Sequence, residues 1–230
     1  FSGRMYQSVI YSTQSLRASP STGSVQGSTY TGGLAGMFDS VASKSLNSDV
    51  PVTGGYGTGG LIGYMNSNFT TADTNVNTNS ATLLTASGAV SATGERAGGL
   101  IGESTGGAVV LSNSSASGTV NSSSNYVGGL IGLAYGTAYN DISASGVVTQ
   151  TGGEQVGGLV GQFSSTTMLR GSATGNVVAT GTGWYVGGLI GLSNGTSITA
   201  SYATGNVTAK GGHVGGLIGQ SSHQVIDSYA

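Results

Sequence analysis

Cysteine is absent from the 230 residues. That excludes disulfides, thiolate metal sites and cysteine nucleophiles. Charge is almost absent as well: Asp, Glu, Lys and Arg make up 6% of the chain, against about a quarter in an ordinary protein. With a net charge of −2 there is no basic footprint for nucleic acid or an anionic membrane. The two histidines, His213 and His223, fall in no H-E-x-x-H or H-x-H pattern that would hold a metal. No apolar run approaches the roughly 18 residues of a membrane-spanning helix. What the chain has is glycine, 44 of 230 residues, against about 7% on average, together with many Ser, Thr and Asn. Hydrophobic residues still reach 37% and recur at regular intervals, which separates this sequence from a disordered one.

The regularity is a repeat. The word "TGGLAG" at Thr31 returns as "TGGLIG" at Thr58, "AGGLIG" at Ala97, "VGGLIG" at Val127, "VGGLVG" at Val156 and "VGGLIG" at Val186 and Val214. Its leucines are Leu34, Leu61, Leu100, Leu130, Leu159, Leu189 and Leu217, spaced by 27, 39, 30, 29, 30 and 28. A second word keeps phase with it: "ASGAV" at Ala86, "ASGTV" at Ala116, "ASGVV" at Ala144, and "ATGNV" at Ala173 and Ala203. Residues 1–230 therefore read as one repeat domain with a period of about 29. The long interval reads as a coil with a loop inserted over residues 66–81.

Gly, Ser, Thr and Val oppose helix and favour strands and turns. Each unit divides into three short strands, "YVGGLIGL", "SITASYA" and "NVTA", joined by turn chemistry such as "SNGT" and "KGGH". The fold class expected is all-β: a parallel β-solenoid, or β-helix, of about seven coils, right-handed by the rule for parallel crossovers. A bundle of polyproline-II helices is the rival for a glycine-rich chain, but it wants longer glycine runs than these pairs. The last coil stops at "VIDSYA", where earlier coils continue with "TGNVTA". That leads to the expectation of a fragment of a longer chain, or of an end that meets another molecule.

The word "VGGLIG", in seven in-phase copies from Thr31 to Gly219 and accompanied in most of them by a word like the "ATGNV" of "SYATGNV", resembles the GLUG motif. The early copies depart from the pattern, with Ala35 in the usual Ile position. The resemblance implies secreted or surface-exposed bacterial proteins, including haemagglutinin-like adhesins, in which the repeats are scaffold. It implies no catalytic residue and no cofactor.

Chemistry is sparse. Polysaccharide-cleaving solenoids need acids clustered on one face. The nearest to a group here, Glu103, Asp141 and Glu154, occupy different positions in the repeat, so the expectation is no catalytic set, no metal and no enzyme. The residue before each word forms a column of Tyr30, Gly57, Arg96, Tyr126, Gln155, Tyr185 and His213, with Trp184 beside it. Tyr126, Trp184 and Tyr185 are the candidate surface for a glycan or a host receptor, since such side chains suit binding surfaces. His213 itself reads as a solvated turn residue.

The word poses one open question. Strict alternation puts Val186 and Ile190 on one face of a strand, the lumen side, and Leu189 on the other. Leu100, Leu130, Leu159, Leu189 and Leu217 would then form an outward ridge. Leaving such a ridge in water forgoes about 1.5–3 kcal/mol per leucine, so it would be an interface for self-association or for another part of a longer chain. Alternatively, Gly-Gly kinks the strand and turns both Val and Leu inward. The function that best fits the sequence is an extracellular, non-enzymatic structural or adhesive rod, or a filament subunit. A glycan- or receptor-binding module is the alternative, and a carbohydrate-active enzyme the most distant one.

Overall fold

A computed structural model describes residues 23–39, 45–66, 84–105, 109–136 and 138–230, and the backbone strands Arg4–Tyr6, Val9–Ile10, Leu16–Ala18 and Ala42–Ser43. Every strand pairing is parallel, each strand lying on its equivalent one coil away. The chain is a parallel β-solenoid, and the polyproline-II arrangement does not occur among the described residues. The sheet carrying the start of the glycine word has seven strands, which makes about six turns between its first and last rungs. At ~4.8 Å per rung those turns rise about 29 Å. Residue 66 ends the strand Ile62–Asn66; the rest of the expected insertion lies outside the described residues.

Each coil runs through four sheets rather than the three expected. In one coil the strands are Val127–Gly128, Ile131–Ala134, Ala138–Ala144 and Val148–Gln150, belonging to sheets one to four in that order; in later coils the sheet-three segment is split in two, as at Thr167–Leu169 and Ser172–Ala173. The additional corner falls inside the word. Between Gly128 and Ile131 the backbone bends, so "VGGLIG" contributes to two sheets. The corner is braced from the next coil, where the Leu159 carbonyl accepts both the Leu130 N–H (2.9 Å) and the Ile131 N–H (3.1 Å).

Glycine is what lets the corner close. A Cβ on Gly128 would lie 2.0 Å from the Ile131 carbonyl oxygen, across the bend. A Cβ on Gly129 would lie 2.1 Å from the Gly158 carbonyl oxygen and 3.0 Å from the Ala144 Cβ. Three separate roles follow: Gly128 lets the two limbs of the arch touch, Gly129 lets successive coils stack, and Gly129 with Ala144 makes a narrow waist across the coil.

The waist divides the interior into two apolar compartments. The larger, between sheets two and three, holds the Leu column, the Ile column, the Ala column of the second word and larger side chains such as Phe38, Met65, Tyr139 and Phe163. The smaller, between sheets one and four, holds Val127, Val156 and Val186 facing Val90, Val120, Val148 and Val177. Register is kept residue for residue: Ile131 sits on Val160, Val160 on Ile190 and Ile190 on Ile218.

The outward leucine ridge is therefore corrected. Leu100, Leu130, Leu159 and Leu189 are 0% exposed inside the larger compartment, and Leu217, in the last coil, is partly buried against it. Alternation fails because it holds only within one unbroken strand, and the bend between the second Gly and the Leu resets it. Val186 and Leu189 do both turn inward, as the kinked alternative has it, but into different compartments.

Sheet three has its own bend. Asn113, Asp141, Arg170, Ala200 and Asp227, one per coil, have left-handed backbones with φ of 49°, 52°, 55°, 50° and 48°. The serine that follows in some coils braces the strain. Ser201 Oγ donates to the Thr199 carbonyl (2.9 Å) and accepts from the Gly171 N–H of the adjacent coil (3.0 Å).

Candidate functional site

The column before each word runs along the corner between sheets four and one, and aromatic and ionic groups concentrate there. In the early coils, the Tyr30 ring lies 4.7 Å from Tyr64 and 5.6 Å from Tyr56, centroid to centroid. Gly57 is open to the Tyr30 ring because it has no side chain: a Cβ there would come within 2.5 Å of the ring, and φ is +66°. The Arg96 guanidinium stacks over Tyr56 at 4.6 Å and pairs with the buried Glu103 carboxylate at 2.5 Å. Burial works to lower the Arg96 pKa, but the hydrogen bond and charge of Glu103 outweigh it and the net direction is up. The hydroxyls of Tyr30, Tyr56 and Tyr126 are all pushed above the ordinary tyrosine value, by burial first and by neighbouring carboxylates second. Arg96 is thus held between the Tyr56 ring and the Glu103 carboxylate, with its buried Nε left without a hydrogen-bond partner.

In the late coils the same corner is open. Tyr185 pairs with His213 and with Gln155 in sheet one. The His213 imidazole stacks on Tyr185 at 5.3 Å with only 12° between planes, and lies 6.2 Å from the Trp184 ring. Trp184 is 51% exposed, while Tyr126 and Tyr185 are half-buried. The candidates Trp184 and Tyr185 thus come together, joined by His213. That histidine opens the strand His213–Gly215, where the sequence suggested a solvated turn. Tyr126 stands lower in the same column, near Tyr135 and Arg96. The cluster around Arg96 was not singled out in the sequence as a group. Its members come from three coils and two sheets, and only the phase of the repeat could have placed them together.

The three acids do not meet. Glu103 is buried against Arg96. Asp141 is on sheet three, bound through both carboxylate oxygens by Arg170 at 2.5 and 2.7 Å, and this pairing holds its pKa below the usual carboxylate range. Glu154 is exposed at the corner below Tyr185. Among the described residues no three His, Cys, Asp or Glu side chains come together in a way that could hold a metal ion, and no helix is long and apolar enough to cross a membrane.

Compared with known proteins, the chain matches the GLUG motif over residues 182–208, from the corner before Trp184 through the second word of that coil. No curated protein and no solved structure matches.

Proposed function

We propose that this GLUG-repeat protein, built as a parallel β-solenoid, serves as a non-enzymatic structural and adhesive rod outside the bacterial cell, either as a displayed stalk or as a filament subunit. The observation that carries the reading is the unbroken register. The same residue types stack on themselves through all four sheets, around two apolar compartments, with the chemistry-bearing side chains among the described residues paired off or scattered. Stacked coils resist bending because each one contacts its neighbours through every sheet. The composition suits exposure to harsh surroundings. Six Lys and Arg residues in 230 leave few tryptic sites, and Arg96 and Arg170 are engaged in ion pairs. A fold held by apolar ladders and backbone hydrogen bonds is also insensitive to ionic strength.

The test is shaving of intact source cells with a broad-specificity protease that does not depend on Lys or Arg, with antibody detection of this chain, followed by negative-stain electron microscopy of the purified protein. The expectation is removal of the epitope from intact cells, and rods or filaments that persist in about 1 M salt. An epitope released only on lysis, or particles that dissolve in salt, would overturn the reading.

A further inference from the structure

Trp184 is out of keeping with the rest of the surface. Among the described residues outside the last coil, the exposed large apolar side chains are Tyr135, Val147 and Trp184, and Trp184 is the most open of them at 51%. It is also held in place. The backbone of Gly212 in the next coil lies under one side of the indole, where a Cβ would come within 2.9 Å of the ring. The Trp184 carbonyl accepts the His213 N–H at 2.7 Å, and the Tyr185 N–H donates to the Glu154 carbonyl at 3.0 Å. Three successive rungs of the corner therefore present an exposed carboxylate (Glu154), a fixed indole (Trp184) and an exposed imidazole (His213) stacked on Tyr185.

We propose that this corner binds a pyranose unit of a neutral polysaccharide, with Trp184 as the platform and Glu154 and His213 as hydrogen-bonding flanks. The proposal rests on the reading of the chain as an adhesive rod and names the ligand class of its surface. A flat, electron-rich ring with one open side matches the C–H face of a sugar, and the exposed carboxylate and imidazole on the two flanking rungs match hydroxyl groups. A protein partner fits less well. Protein interfaces take about 800 Å² per side around a cluster of anchors, and here a single exposed indole stands beside Gly212 and His213. An anionic glycan fits less well too, because the exposed Glu154 stands one rung from Trp184 and the chain carries a net charge of −2.

Trp184 is the only tryptophan in the chain, so intrinsic fluorescence reports on this site alone. The 230-residue chain is titrated with neutral gluco-, galacto- and manno-oligosaccharides and with a sulfated oligosaccharide, and binding is measured in parallel on a glycan array. The expected result is a saturable emission shift with at least one neutral series. Trp184→Ala weakens array binding about tenfold or more, and Trp184→Phe falls between, with far-UV circular dichroism and urea midpoint unchanged in both. A silent tryptophan across the panel overturns the proposal. So does binding that survives Trp184→Ala, a response confined to the sulfated sugar and abolished by about 0.5 M salt, or an emission shift that depends only on protein concentration. A surface-exposed chain with a silent tryptophan would remove the sugar site and leave the rod; an intracellular chain would remove the rod whatever the fluorescence shows.

Discussion

Leu159→Ala tests the central structural finding, that the leucine of the glycine word is inside. Leu159 is 0% exposed and belongs to the larger compartment. Its N–H donates to the Leu189 carbonyl at 2.8 Å, so the backbone on either side is tied to neighbouring coils. The substitution removes three carbons. At about 0.8 kcal/mol each the transfer loss is roughly 2.4 kcal/mol. A cavity cost adds to it, because walls fixed by the hydrogen-bonded sheets two and three collapse only partly. The expected loss is about 3–4 kcal/mol, read from urea unfolding by far-UV circular dichroism with the m-value unchanged. Leu217→Ala, at the partly buried copy in the last coil, should cost about half as much. Leu159→Lys should prevent folding, since a charge would enter a dry core. A loss below about 1 kcal/mol for Leu159→Ala, or a tolerated Leu159→Lys, would refute the inward placement and restore the outward ridge.

Gly129→Ala should destabilise by at least 1–3 kcal/mol, roughly the overpacking range, because the new methyl would lie 2.1 Å from the Gly158 carbonyl oxygen in backbone that cannot rotate away; Gly23→Ala, with nothing within 4 Å, serves as the neutral control in the same melts. Arg96→Ala strands the Glu103 carboxylate, whose side chain is 5% exposed, and should cost about 2–4 kcal/mol; pairing it with Glu103→Gln should recover part of that loss in a double-mutant cycle. Tyr139 is fully buried, and burial pushes its hydroxyl up to about 12. Its contribution is therefore complete below the unfolded value of about 10 and is lost as pH rises toward 12, so urea midpoints should begin to fall above about pH 10, less steeply in Tyr139→Phe. The Asp141 pKa is depressed by Arg170, so that pair's contribution is present above the usual carboxylate range and lost as pH falls below it. Both side chains are more than a third exposed, and thermal melts of Arg170→Ala should differ from the parent only at low salt.

Much of the fold can be read from residue order. Seven copies of a Gly-Gly-Leu word at a period of about 29, with a second word in phase, predict stacked parallel strands, and the observed register follows these columns without slip. The candidate surface was half legible. Trp184 and Tyr185 are notable in any reading of the chain, and the repeat column already sets His213 next to Tyr185; the near-parallel stacking of the two rings is what only the structure supplied. The cluster of Arg96, Glu103, Tyr30, Tyr56 and Tyr64 was hidden for a related reason. It is assembled across sheets one and two, which the sequence presents as one continuous strand.

The division between sequence and structure lies at the second glycine of each word. Sequence alone determined the period, the parallel stacking and the identity of every column, because in-register repetition leaves side chains of one type to pack on their own kind. Only the tertiary structure decided where Leu100, Leu130, Leu159 and Leu189 point. Glycine has no side chain whose polarity could reveal a change of face, so a bend between Gly and Leu leaves no trace in the hydrophobic pattern. The bend is imposed by packing: two compartments meet at a Gly–Ala waist, and the backbone turns there because the leucine gains a dry interior by doing so.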